Sequence, residues 1–554
     1  MTLLDTTPFR RTLAAAAATL VLLAAPSGAQ TELSHTDDAS PVPRGAFRLR
    51  ATTGWTRWDQ KFGANGVVGL GDELSADPLG TAQLPLLTPI ETSARALTAD
   101  PQLRLSLGRL VTKSDARIVT TPIALEYGLT RRLSVGVIVP FVSTRRTVGL
   151  DVNSATGTPA NVGFVPVGSR ATAGGVNAIA YNSYLAAASS LGSQIALCRA
   201  SPSASGCAAI DADASGAAAA QALATKFANA IKALGTDQAS AIVAPRAGGV
   251  LALQIELQRN ALNRLLQQYL GGGSPSVSAV YFAPTNFSYI DLQGRDGQEG
   301  LLQSALGGGI DSLRTTEHIG FGDISVGAQF LVFDGFQRDT LPLRGMQSRL
   351  VVGADVRFAT SRADTAQNLV GIGTGDGAGV GVHSALDLIH GHVGGTIAGR
   401  YVKSFARTVS APLYGDPEAA FPIPVFGNRQ RTAGDVVGLD VTPRYLLTET
   451  FAIDGHYGLE RVGAATYGPG GDTTTTPAVC ILVSCAAPVG TSRTAQRLGV
   501  GLRYSTVDAF ARGAAAYPVE VSYTHLSTIS GDPGLPKLSR DQVQVRLFYQ
   551  LFSR

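Results

Sequence analysis

Residues 126–142 read EYGLTRRLSVGVIVPFV, and their reading decides the fold. Gly128–Arg132 is a turn. Beyond it Leu133, Val135, Val137, Val139 and Phe141 are apolar, Ser134 and Gly136 between them are small, and only Ile138 breaks the contrast. A period of two makes a strand with two unlike faces. The question is whether the apolar face meets a protein core or lipid.

Eleven further stretches repeat the pattern. With this one they lie near 45–58, 116–127, 133–145, 320–333, 348–360, 379–389, 392–404, 435–446, 451–462, 495–506, 515–528 and 540–551. The even-numbered connections between them are short: Gly128–Arg132, 334–347, His390-Gly391, Leu447–Thr450 and Val507–Ala514. The odd-numbered ones are mostly long: 59–115, 146–319, 361–378, 405–434, 463–494 and 529–539. A soluble sandwich has no reason to sort its loops by parity. An up-and-down barrel does, because alternate connections share one end, and bacterial outer-membrane barrels have short periplasmic turns and long external loops.

The faces agree with that reading. Val543, Val545, Leu547, Tyr549 and Leu551 oppose Gln542, Gln544, Arg546 and Gln550. Leu498, Val500, Leu502 and Tyr504 oppose Arg497 and Arg503. Val437, Leu439, Val441 and Tyr445 oppose Asp440 and Arg444. Phe451, Ile453, Tyr457 and Leu459 oppose Asp454, His456 and Glu460. The apolar faces of these strand centres carry no charge, and a lipid-facing Arg or Lys at mid-bilayer costs about 2–4 kcal/mol. The other face is too charged for a dry core. Tyr127, Tyr445, Tyr504 and Tyr549 end strands that run toward short turns or the terminus, as an interfacial aromatic girdle requires. The expected partner of the apolar face is lipid. Pro122 and Pro140 fall inside strands, where bulges are expected.

Composition and the N-terminus point the same way. The 554 residues include 64 glycines and only 16% charged side chains. No apolar stretch after the leader approaches the roughly 20 residues of a membrane helix. Residues 1–29 read as a signal peptide: Arg10 and Arg11, an apolar run over 12–25, then Ser27-Gly28-Ala29 before Gln30. No cysteine follows to accept lipid. Without the leader the chain carries 43 basic and 40 acidic residues, a balance that argues against nucleic acid. Cys198 and Cys207, and Cys480 and Cys485, are spaced for two local disulfides in an exported chain, and both pairs fall in external loops.

EYGLTRRLSVGVIVPFV, GFGDISVGAQFLVF (320–333) and VGIGTGDGAGVGV (370–382) together resemble the outer-membrane "MetA-pathway of phenol degradation" transporters, distant relatives of the long-chain fatty-acid channels. The resemblance covers 116–145 and 320–554. It implies a barrel passing hydrophobic or aromatic compounds. The fatty-acid channels carry an N-terminal hatch with an Asn-Pro-Ala motif, and residues 31–45 contain none.

Residues 216–234 and 250–270 read as amphipathic helices, with a third near 176–197. A small bundle packing on itself is the first reading of 146–319, and a lid or partner-binding cap the second. The glycines of 371–381 fit tight external turns and lack the spacing of a phosphate cradle. His390 and His392 flank a turn with no carboxylate or thiolate nearby to complete a metal site. G-x-S-x-G and H-E-x-x-H do not occur.

The expected fold is therefore an all-β transmembrane barrel of about twelve antiparallel up-and-down strands with a helical external insertion. Residues 1–29 are the leader, 30–145 the first strands with a long first loop, 146–319 the insertion and 320–554 the remaining wall. Asp355, Arg357, His383, Asp387, Arg400, Asp440, Arg444, Asp454, His456, Glu460, Arg497 and Arg503 are the candidate lumen residues, either setting the pore's field or bracing the wall as ion pairs. The expected function is passive passage of small apolar molecules through the bacterial outer membrane, without cofactor or enzymatic activity. The partners expected are outer-membrane lipid, a small hydrophobic solute and the barrel-assembly machinery. The rival readings are a barrel that displays the cap, and an enzyme using His456 and Glu460.

Overall fold

A computed structural model describes residues 38–550 apart from 296, 337–342, 364, 376, 415–421, 424, 471–479 and 481–489. Residues 1–29, expected to be a leader, and Cys485 lie outside the described residues.

Twelve antiparallel wall strands close into one ring. In chain order they are β1 (Ala46–Trp58), β2 (Leu110–Gly128), β3 (Leu133–Val152), β4 (Thr316–Phe321 continued by Ser325–Asp334), β5 (Leu343–Arg357), β6 (Gly379–Gly391), β7 (Val393–Ser404), β8 (Val436–Leu446), β9 (Phe451–Val462), β10 (Arg493–Ser505), β11 (Val519–Gly531) and β12 (Ser539–Gln550). Each strand pairs with its chain neighbours, and β12 pairs back onto β1, from Ala46 opposite Gln550 to Arg57 opposite Ser539. Closure leaves no edge, which matters where no water can satisfy free backbone groups. Among the described residues no helix is long and apolar enough to cross a membrane.

The wall is apolar outside and charged inside. On β10 Leu498, Val500, Leu502 and Tyr504 are 52%, 64%, 46% and 45% exposed. Arg497 and Arg503 alternate with them and turn inward. The same alternation sets the register, because slipping one residue would swap the two faces. At the end carrying the short turns, Phe47 lies between Tyr549 and Tyr127 in register, its ring 4.7 Å from that of Tyr127.

The prolines differ from expectation. Pro122 stands directly opposite Pro140 with no shift of register, so neither makes a bulge. On its other side Pro140 meets the gap between the two halves of β4, at Gly322–Ile324. Pro122 likewise faces the gap in the β1–β2 ladder between the pairs Ala51–Ile123 and Gly54–Thr120. Each missing N–H falls where the ladder is already interrupted, so no acceptor is orphaned.

The long connections build one cap. It contains α1 (Thr88–Thr98) from the first loop, then α2 (Val167–Ala200), α3 (Ala208–Ala212), α4 (Ala214–Leu234), α5 (Val250–Leu270) and α6 (Tyr289–Gln293). The insertion does not pack on itself alone: α1 packs on α4 and α5, and one core joins Leu74, Leu97, Phe227, Leu266 and Leu302 to Val370 of the glycine-rich loop. A disulfide joins Cys198 at the end of α2 to Cys207. The β3 and β4 strands run on to Val152 and resume at Thr316, so the insertion is shorter than its alternation implied.

Candidate solute pathway through the barrel

Inward side chains form a belt of ion pairs near the short-turn end. Starting on β2, Glu126 pairs with Arg48 of β1 and reaches Arg50 at 3.8 Å. On β12 Arg546 meets Glu520 of β11 at 3.1 Å, and Glu520 meets Arg503 of β10 at 3.0 Å. Asp454 of β9 lies between Arg503 at 3.0 Å and Arg444 of β8 at 2.7 Å. Thr396 of β7 donates to Asp387 of β6 at 2.7 Å, and Arg349 of β5 meets the same carboxylate at 2.8 Å. The belt thus crosses ten of the twelve strands. It forms because nine of these strands carry a charge at an inward position and β7 supplies the Thr396 hydroxyl.

A second tier lies farther up. Glu460 bridges Arg400 and Arg497, the latter at 3.4 Å. His383 Nδ1 is 3.4 Å from Asp355, and Arg357 donates to the Gly377 carbonyl at 2.8 Å. His456 lies 3.3 Å from the Thr442 hydroxyl, and Asp440 faces inward across from Gly458. The twelve candidate residues hold the strand phase opposite to the exposed apolar side chains. His390 and His392 stay at a turn, where the His392 ring contacts the Leu446 carbonyl at 3.1 Å.

The sequence did not reveal what occupies the belt. Residues 38–43 enter the barrel from below and sit inside it. The Ala39 amide donates to Asp387 at 3.1 Å, Arg48 donates to the Ser40 carbonyl at 2.9 Å, and Arg349 to the Ser40 hydroxyl at 2.8 Å. Asp38 pairs with Arg546 and lies 4.0 Å from Arg503. Gly128 admits the incoming chain, since a side chain there would collide with the Pro43 carbonyl. No sequence motif marks 38–43. The signals that were present were inward Arg48, Glu126, Arg349 and Glu520, which alternate with apolar residues as the predicted lumen residues do.

Beneath the belt opens a cavity of about 600 Å³. Polar Arg349, Asp387 and Arg503 line it together with Phe336, Phe510 and Phe548. The Arg349 guanidinium lies 4.5 Å from the centre of the Phe336 ring. Above the second tier a small apolar cluster sits among buried cations, with Arg146 4% and Lys61 2% exposed. Trp58, Leu70, Ala116, Ile118, Val142 and Ile372 form one buried cluster. Ile372 comes from the glycine-rich loop, which folds inward rather than making an external turn, and its carbonyl accepts from Thr144 at 3.3 Å.

No family model matches the chain, and no curated protein matches it. Solved structures that match the chain include an outer-membrane channel from Pseudomonas putida F1, at 8% identity and TM-score 0.38, covering 94% of this chain and 100% of that one. A monoaromatic hydrocarbon channel, CymD, matches at 8% identity and TM-score 0.23, covering 92% and 90%. A FadL homologue of Pseudomonas aeruginosa matches at 8% identity and TM-score 0.23, covering 92% and 91%. Likeness at this level carries no argument about function, which rests on the geometry above.

Proposed function

We propose that the chain is an outer-membrane channel passing small hydrophobic or aromatic molecules by passive diffusion, held shut here by residues 38–43. The carrying observation is the inverted wall: Val500 is 64% exposed on the outside, while Asp454 on the inside is 2% exposed between two arginines. Water offers no reason to expose that apolar belt, and lipid does. In this reading 1–29 is the leader, 30–145 and 320–554 supply the wall, and 146–319 forms the external lid. Barrel-assembly machinery would insert it among outer-membrane lipids.

Two features favour a channel over its rivals. The plug is held by side-chain contacts and one short stretch of backbone pairing, so it is displaceable without opening the wall. The cap shares its core with the first loop and with Val370, as a lid over the lumen does and a separately displayed module does not. Against an enzyme, Glu460 and Asp454 each sit between two guanidiniums, engaged in ion pairs that join neighbouring strands. We assign the twelve lumen residues the role of bracing the wall and setting the field along the path.

The test is uptake by liposomes containing the purified, refolded protein. A small aromatic, a fatty acid and a polar sugar are offered in parallel. Entry of the apolar compounds above the rate of protein-free liposomes is expected. Equal rates, with the barrel shown to be folded, would overturn the reading.

A further inference from the structure

Three arginines form a row on the outside of the wall. Arg57 of β1 stands opposite Arg117 of β2, and Arg117 opposite Arg145 of β3. All three are exposed, the Arg57 side chain to 69%. Like charges directly opposite across strands repel, so such a row costs stability unless an anion lies over it. Nearby carboxylates answer it only in part. Asp541 reaches Arg57 at 4.0 Å but already accepts from the Tyr523 hydroxyl at 2.8 Å and contacts His525 at 2.9 Å. Asp115 is taken by the Thr147 hydroxyl. Glu317 stands opposite Arg145, yet among the described residues neither Arg145 nor Arg117 closes an ion pair. The exposed rim lysine Lys403, by contrast, has Asp435 at 3.5 Å.

The height of the row says what kind of anion. Phe47, Tyr127 and Val135 pair across the same three strands at the girdle, and each lies ten residues below its arginine. Ten residues at about 3.3 Å, tilted by roughly 40°, rise about 25 Å, the height of the apolar band of such a wall. The row therefore sits one band height above the girdle, at headgroup level on the cap side. Just below it the surface is aromatic and aliphatic: Phe141 and Phe321 pack 4.9 Å apart, and Ile319 is 73% exposed. Guanidinium forks above and an apolar floor below fit a phosphate on a lipid headgroup with its acyl chains running down the wall.

We propose that Arg57, Arg117 and Arg145 bind the phosphorylated headgroup of an outer-leaflet lipid. The proposal rests on the membrane reading above but not on solute passage. It is tested by native mass spectrometry of the full chain in detergent, titrated with diphosphoryl lipid A, with its dephosphorylated form and with inorganic phosphate. The wild type should retain diphosphoryl lipid A. The triple variant Arg57→Gln, Arg117→Gln, Arg145→Gln should lose about a hundredfold in affinity, and Arg117→Gln alone about fivefold. Lys403→Gln with Arg461→Gln, outward cations elsewhere on the wall, should change nothing. Equal retention of the dephosphorylated lipid, competition by inorganic phosphate at lipid concentrations, or unchanged retention in Arg117→Gln would overturn the assignment. Unchanged retention beside intact aromatic uptake would sink this proposal alone. Absence of uptake beside phosphate-dependent retention would sink the channel reading alone.

Discussion

Asp454 joins three strands of the wall at one carboxylate. It is 2% exposed, with guanidiniums at 2.7 Å and 3.0 Å. Removing it takes from Arg444 its one ion-pair partner among the described residues and leaves Arg503 with Glu520 and Asp38, which is worse than losing the Arg444–Asp454 pair as a whole. Asp454→Ala should cost about 3 kcal/mol, read as a lower urea midpoint of unfolding in detergent or vesicles. The exposed rim pair Lys403–Asp435 should cost at most about 1 kcal/mol when broken by Asp435→Ala. Val500 makes the opposite test. At a water-facing site Val500→Arg would shift stability by less than about 0.5 kcal/mol, but against lipid it should cost about 2–4 kcal/mol in vesicles. A neutral result there would contradict the lipid-facing wall.

At the scale of elements, the wall was legible and its contents were not. Alternation over ten or more residues fixes both the strand and its inner face, so β6, β9 and β10 could be read with their lumen charges in place. Where the pattern lapses, the reading lapses with it. The gap at Gly322–Ile324 splits β4 opposite Pro140, and nothing local to either stretch announces the other. The segment 38–43 makes no repeating pattern at all, since side chains from β1, β5, β6 and β12 hold it. Helices α4 and α5 were legible by period, but their partner α1 lies more than a hundred residues away. The cap is an element with its own core, and Phe227, 1% exposed and edge-on to Tyr184 at 5.8 Å, is central to it. Phe227→Ala should cost the cap about 4 kcal/mol, seen as faster proteolysis of 153–315 while the barrel keeps its heat-modifiable migration on a gel.

The cap also has a pH signature. The Gly216 amide, donating at 2.8 Å, and the Tyr269 and Ser215 hydroxyls hold the Asp213 carboxyl below its usual range as it caps α4. A carboxylate favoured in the folded state adds stability that is complete above the unfolded value of 3.8 and is lost as pH falls through the lower folded value. The thermal midpoint of the cap should therefore differ between wild type and Asp213→Ala at pH 7, and the difference should shrink below pH 3.8. A difference that is constant with pH would exclude the carboxylate as its source.

For the whole molecule, the sequence implied a wall with two faces, and the structure adds that the inside is arranged in series. A cavity opens at the short-turn end, a charged belt closes around residues 38–43, and the Trp58–Ile372 cluster lies beyond the second tier. Asp38 ties that segment to Arg546, so under the proposed function its loss should loosen the segment. The most direct measurement is therefore the rate at which liposomes take up a small aromatic and a sugar through wild type and through Asp38→Ala. Slow, aromatic-selective entry through wild type and faster entry, now including sugar, through the variant is the predicted result. A folded variant indistinguishable from wild type, with both no faster than protein-free liposomes, would contradict the account.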